Sequence, residues 1–321
     1  MSMLIFSNRL AHLTYGSRHK IITGSRDQTI RIWDMHTFQC IGIIGALTKP
    51  HPNNAPKDDI YDDDSAIHIT TSEYHRASIL SLQFDDEILV TGSSDCTCIV
   101  WDIHKGYKPI HRLRCHKAGV LDVCFDDKHI VSCSKDTTLC LWDRRTGQLL
   151  KRLVGHRGPV NAVQLRGNLA VSASGDGIAK LWNLTSGLCI KEFPSKNRGL
   201  ACIEFSEDAR YIFAGGNDQV IYRFDANSGE LINELKGHKG LVRSLHLDSA
   251  NGRIISGSYD MSVKVFDFET GNLIIDFPGW TTSWMLSAKA DYRRIVATSQ
   301  DSRAVIMDFG YGLPSIEMLE G

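Results

Sequence analysis

The sequence predicts an all-β protein folded as a seven-bladed β-propeller, and two observations predict it. An aromatic-Asp pair returns at a period near 41 residues, and an Asp stands six residues ahead of every such pair. The pairs are Trp33-Asp34, Trp101-Asp102, Trp142-Asp143, Trp182-Asn183, Phe224-Asp225, Phe266-Asp267 and Met307-Asp308, with intervals of 68, 41, 40, 42, 42 and 41 residues. The leading aspartates are Asp27, Asp95, Asp136, Asp176, Asp218, Asp260 and Asp301.

Each pair ends a strand. The residues one and three before it are mostly apolar (Ile32 and Ile30, Leu141 and Leu139, Val265 and Val263), which is the period of two that a pleated strand requires. The leading Asp lies in the tight turn before that strand. A second apolar run (HIVS, RIIS) and a third (VLDVCF, LVRSLHL) lie upstream, and the segment after each pair supplies a fourth strand. Four strands in about 40 residues resembles the arithmetic of the WD40 family, whose radial blades protect most strand edges. The resemblance covers residues 1–321 as one seven-bladed unit. The strand that closes the ring is left open between MLIF near the start and SIEML near the end.

The interval of 68 residues leaves an insertion after the first blade, over 46–73. It carries Pro50, Pro52 and Pro56 and the cluster Asp58, Asp59, Asp62, Asp63 and Asp64, and it predicts a solvated acidic loop. The cluster lacks the spacing and turn glycine of a calcium-binding loop, so no metal is expected.

Composition narrows the function. Apolar residues at 42% suffice for a core, and 36 basic against 37 acidic residues give a net charge of −1, with no general pull toward nucleic acid or anionic lipid. Nine scattered cysteines predict reduced thiols, and no apolar run approaches membrane-spanning length, so a monomer of the cytoplasm or nucleus is expected. Asn183-Leu184-Thr185 is a chance match to a glycosylation acceptor. No phosphate-binding glycine loop, nucleophile elbow or Cys-x-x-Cys pair occurs, so neither an enzyme nor a cofactor is expected.

The histidines belong to the repeat. His75, His116, His156 and His238 each stand nine residues before the end of a blade's first strand. The WD40 resemblance implies hydrogen-bonded tetrads within the blades: His75, Thr91, Asp95, Trp101; His116, Ser132, Asp136, Trp142; His156, Ser172, Asp176, Trp182; and His238, Ser256, Asp260 with Phe266 in place of Trp. Blade 5 (Lys196, Ala214, Phe224) and blade 7 (Trp280, Ala297, Met307) depart from this pattern and are expected to open more easily. A propeller hydrolase would need free carboxylates, and the turn aspartates are committed to the tetrads.

Positions that vary around a repeated turn are free for recognition. Just before the turn Asp they are Arg26, Ser94, Lys135, Gly175, Asn217, Tyr259 and Gln300. A second ring at the start of the innermost strand includes Ser78, Asn161, Arg198, Arg243 and Ser283. Arg26, Lys135, Arg198 and Arg243 with Tyr259 are expected to line one mouth of the channel as a positive cup for phosphate or carboxylate.

The stretches VTGSSD, VSCSKD, RLVGHRGPVNAV, VSASGDGIAKLWN, NRGLACIEF and GHKGLVRSLHL resemble the propeller of F-box/WD-repeat proteins, the substrate receptors of SCF-type ubiquitin ligases, and most of all the β-TrCP branch. The resemblance implies a phosphopeptide gripped by Arg26, Arg198 and Arg243, with Lys135, Tyr259, Ser94, Gly175 and Ala201 beside them. One further arginine is replaced, since TTSWML places Ser283 at its position. No F-box precedes the first blade in this sequence, so the chain is expected to be a propeller cut from a longer product, with a free-standing relative that kept the binding face and lost the ligase link as the alternative, and ubiquitin-ligase subunits are partners only where an F-box lies upstream. The rival expectation is a general scaffold in signalling, transcriptional repression or RNA processing.

Overall fold

Seven sheets follow one another along the chain in the computed structural model, which describes residues 3–7, 10–17, 20–35, 37–45, 66–196, 199–249, 251–291, 293–301 and 303–310, with 3–7, 10–17 and 303 described by backbone alone. Blade 2 shows the pattern, with strands Ile79–Phe84, Ile88–Ser93, Thr97–Asp102 and Lys108–Arg114 paired antiparallel in chain order. The first strands of successive blades touch one another, and that of blade 1 touches that of blade 7, so the ring is closed around a central channel.

Burial follows position in the blade. The second strand lies between two neighbouring blades, so both its faces are covered and it is buried throughout in Ile88–Ser93. The fourth strand stands at the rim, and Leu149–Val154 is mostly exposed. The cores lie between blades rather than within them. One cluster joins Ala162, Val171 and Phe193 of blade 4 to Leu200, Ile212 and Tyr222 of blade 5. Another joins Ile21 and Trp33 of blade 1 to Val296 and Ile306 of blade 7. The approach is close enough to require small residues in the second strand. A Cβ on Gly92 would meet Val120 Cγ1 of the next blade at 2.8 Å.

Chain closure comes from the start of the sequence. Met3–Ser7 pairs antiparallel with Arg303–Asp308 and becomes the fourth strand of blade 7. The SIEML segment lies outside the described residues. So does most of the segment expected as an acidic loop, residues 46–65 with all five clustered aspartates. Its last part is not loop: Ile67–Ile69 adds a parallel fifth strand to Cys40–Ile44 of blade 1, since the outer edge there has unpaired backbone groups to offer.

The turn between second and third strands has a fixed form. In blade 3, Thr137 N donates to Ser134 O at 3.2 Å, and Thr137 adopts φ 71°. The residue after the turn Asp is left-handed in blades 1 to 6 (Gln28, Cys96, Thr137, Gly177, Gln219, Met261), which is the three-residue hairpin that ends in a left-handed bulge. Only Gly177 has glycine there. Thr137 is β-branched and the most strained of the set. Thr137→Gly is therefore expected to stabilise the protein by about 0.5–1 kcal/mol, read as a higher urea midpoint at unchanged slope.

Candidate functional site

The face with the turn aspartates is built outward from the tetrads. In blade 4, Trp182 Nε1 donates to Ser172 Oγ at 2.8 Å, Ser172 meets His156 Nε2 at 2.7 Å, and His156 Nδ1 meets Asp176 Oδ2 at 2.8 Å. The chain of donors closes with a neutral imidazole carrying its proton on Nδ1: Trp N–H to Ser, Ser O–H to Nε2, Nδ1–H to carboxylate. Blades 2 and 3 repeat it. His75 reaches Thr91 at 2.8 Å and Asp95 at 2.9 Å with Trp101 Nε1 3.0 Å from Thr91, and His116 reaches Ser132 at 2.8 Å and Asp136 at 3.1 Å with Trp142 3.0 Å from Ser132. In blade 6, His238 reaches Ser256 at 2.7 Å and Asp260 at 2.9 Å, and the Phe266 ring lies 6.3 Å away.

Blades 5 and 7 engage their turn aspartates by other means, and in blade 5 the network is incomplete, with Asp218 Oδ1 buried and without a hydrogen-bond partner. Tyr222, on the third strand of blade 5, donates its hydroxyl to Asp218 and accepts from Lys196 N at 3.3 Å, so a phenol fills the space of the missing imidazole. In blade 7, Thr282 and Ser299 both donate to Asp301.

The turn carboxylate then fixes the surface. Asp136 accepts from Thr138 N and from Lys117 N at 3.0 and 2.8 Å, and its own N–H donates to Ser134 Oγ at 3.0 Å. Burial opposes its ionisation, but the hydrogen bonds from Thr138 and Lys117 N and the neighbouring His116 outweigh it and hold the carboxyl below its ordinary value. The residue before it is thereby presented outward. Ser94, Lys135, Gly175, Asn217 and Gln300 are exposed, as is Arg26, and Tyr259 is half-buried. In blades 2 to 7 the N–H of this residue donates to a carbonyl at the start of its blade's innermost strand (Ser78, Gly119, Pro159, Gly199, Leu241, Trp284), so both rings edge one mouth. Ser78 Oγ also donates to Arg26 O at 3.3 Å across the junction of blades 1 and 2.

The basic residues of the expected cup have different settings. Arg26 and Lys135 are exposed. Arg243 is half-buried, donates from Nη1 to Ala201 O of blade 5 at 3.2 Å, and lines the channel, so its guanidinium is partly committed to the scaffold. Ala201 is buried and contributes that carbonyl rather than a surface side chain. Arg198 lies outside the described residues. Asn161, at the same place in the repeat, reaches the opposite way and donates from Nδ2 to Leu200 O of the following blade at 2.7 Å.

Sequence reasoning missed two further groups. Arg76, Lys117, Arg157 and Lys239, each directly after a tetrad His, are exposed, and their backbone N–H groups are pinned to the turn carboxylates at 2.8–3.0 Å. The recurring His-Arg and His-Lys pairs were the available signal. The second group is Trp284, which stacks on Tyr259 with centroids 4.8 Å apart and 7° between planes.

Below the mouth the channel holds a cavity of about 640 Å³. Burial pushes the Asp122 carboxyl up to about 6, although Val163 N at 3.0 Å, Arg243 and Lys289 pull the other way. Lys289 pairs with Glu204 at 2.8 Å, and burial takes His246 down to about 4. Asp122 and Ser244 stand at the same place in the repeat, and each accepts a backbone N–H from the next blade, Val163 at 3.0 Å and Ala288 at 2.9 Å. This polar lining therefore ties blade to blade.

Known proteins with similar sequences were found by comparison. The "WD domain, G-beta repeat" family matches residues 8–34, 67–102, 107–143, 147–183, 187–225 and 229–267. The chain is 30% identical over 213 residues to the DENN domain and WD repeat-containing protein SCD1 of Arabidopsis thaliana (65% of this chain, 17% of that one). It is 28% identical over 272 residues to a guanine nucleotide-binding protein subunit beta of Oryza sativa subsp. indica (80% and 55%) and 31% identical over 125 residues to human pre-mRNA-processing factor 17 (37% and 21%). Each match thus spans little more than half of the relative at most. The crystal structure of the WD40 beta propeller domain of Doa1 superposes with a TM-score of 0.77 at 20% identity, covering 95% of both chains, a likeness of fold.

The tetrads make stability depend on pH in a defined direction. Burial lowers the pKa of His116 and His156 below the ordinary 6.5, so their contribution is complete above pH 6.5 and is lost as pH falls from there through the folded values. Asp122 works with the opposite sign. Its folded value of about 6 exceeds the ordinary 3.8, so its contribution is complete below 3.8 and is lost as pH rises toward 6. Urea unfolding of Asp122→Asn and wild type is expected to show the variant gaining relative stability between pH 4 and pH 6.5, and a constant difference would refute the assignment.

Proposed function

Because this chain belongs to the WD40 repeat family, whose propellers are protein-interaction scaffolds, we propose that the face bearing the Arg26–Gln300 ring receives an acidic or phosphorylated peptide. One observation carries the reading: Arg26 and Lys135 are exposed at a repeat position that borders the channel mouth, while Arg76, Lys117, Arg157 and Lys239 extend positive charge around the same face. A phosphate or carboxylate approaching the mouth meets cations from several blades, and exposed guanidinium groups can offer it paired N–H donors. Arg198 joins them by its place in the repeat. The resemblance to F-box/WD-repeat receptors adds the finer proposal that the bound peptide is a substrate presented for ubiquitin transfer in the cytoplasm or nucleus.

A second reading, a scaffold in signalling or RNA processing, is favoured by the names of the similar proteins, which include a G-protein subunit and a pre-mRNA-processing factor. Pull-down of cullin-adaptor proteins by the full-length gene product separates the two. For the binding face, fluorescence polarisation with a doubly phosphorylated peptide is expected to show affinity falling about tenfold or more in Arg26→Glu/Arg198→Glu and falling with added salt. Thermal unfolding should change little. Equal binding of phosphorylated and unphosphorylated peptides would count against the phosphate-specific form of the proposal.

A further inference from the structure

The cationic mouth has an aromatic interruption. Trp284 immediately precedes the innermost strand of blade 7, Met285–Ala290, beside the Ser283 that stands where an arginine was expected, and its carbonyl accepts from Gln300 N at 3.0 Å. Its backbone is therefore fixed to the same turn that presents the ring residues. Its indole stacks nearly parallel on Tyr259 of blade 6, with centroids 4.8 Å apart, yet Trp284 is 50% exposed. Since Tyr259 covers one face, the exposure belongs to the other face and edge.

The other tryptophans behave differently. Trp33, Trp101, Trp142 and Trp182 are no more than 5% exposed, and Trp280 packs on Phe277 with centroids 5.4 Å apart. An indole held by a neighbouring ring and left open on its far side is a flat apolar platform whose hydration costs free energy until something covers it. It stands on the arc of blades 6, 7 and 1, between Arg243 and Arg26.

We propose that Trp284, backed by Tyr259, is a subsite for an aromatic side chain of the acidic or phosphorylated peptide, so that this mouth selects an aromatic residue adjoining the negative charge. The proposal rests on the acidic-peptide reading above. Charge complementarity decides the occupant: the surrounding cations disfavour a lysine or arginine that would otherwise suit an indole face, and they favour a peptide whose other groups are anionic. Ring-on-ring stacking then adds what aliphatic contact does not.

The test uses two doubly phosphorylated peptides that differ only in Phe or Ala beside a phosphoserine, with wild type, Trp284→Ser and Trp284→Phe. In wild type the Phe peptide should bind about 3- to 10-fold more tightly, and it should shield tryptophan fluorescence from iodide. Trp284→Ser should erase that preference while still binding the Ala peptide, and Trp284→Phe should restore most of it. Equal binding of the two peptides to wild type, or a preference that survives in Trp284→Ser, overturns the subsite and leaves the cationic face standing. Failure of both peptides to bind wild type overturns the acidic-peptide reading and the subsite with it. Matching circular dichroism and unfolding temperatures among the variants exclude loss of fold as the cause.

Discussion

The turn aspartate is the constraint on which the binding face depends. Its carboxylate sits at the end of a buried chain of hydrogen bonds from indole, hydroxyl and imidazole, and it also holds two backbone N–H groups that shape the hairpin. An unpaired carboxylate at this depth would cost several kcal/mol. The hairpin is therefore held in one geometry, and the residue before the aspartate has only one way to point. Variation at that residue leaves the scaffold alone, because its backbone makes the structural contact and its side chain makes none that the blade needs.

Inter-blade packing supplies the other half. Each apolar cluster draws on two neighbouring blades, so a blade taken alone would expose both faces of its second strand. Polar straps in the channel add direction to this contact. Asp122, Ser244, Gln83 and Gln164 each accept a backbone N–H from the following blade, setting the height at which one blade meets the next.

Much of this was legible in the sequence because the repeat converts offsets into positions. The aspartates stand six residues ahead of every recurring pair, the histidines stand 16 residues before their Ser or Thr partners in blades 2 to 4 and 18 before in blade 6, and the structure brings each set within hydrogen-bond distance. What was not legible involves residues whose type is ambiguous in its place. Tyr222 occupies a third-strand position that elsewhere holds residues as different as Arg31, Ile99, Cys140, Lys180, Lys264 and Val305, so its place in the repeat does not mark it as the partner of Asp218. Trp284 precedes an apolar run and looks like its first buried residue, and only its stacking on another blade's tyrosine shows otherwise. Blades 5 and 7 do depart from the tetrad pattern, and their turn aspartates meet a phenol in one and two hydroxyls in the other, with Asp218 Oδ1 left unpartnered. The strand at Ile67–Ile69 escaped because its pairing partner lies beyond an insertion of no clear period.

The pairing of Met3–Ser7 with Arg303–Asp308 has a consequence for how the molecule comes into being. Met3–Ser7 has no mate until nearly three hundred further residues have been made. Six blades can stack progressively as they emerge, but the last sheet is completed by a contact of very large sequence separation, the kind that forms slowly. Until then the nascent chain is an open arc with two sticky ends, and the period before the arc becomes a circle is when it most needs a chaperone.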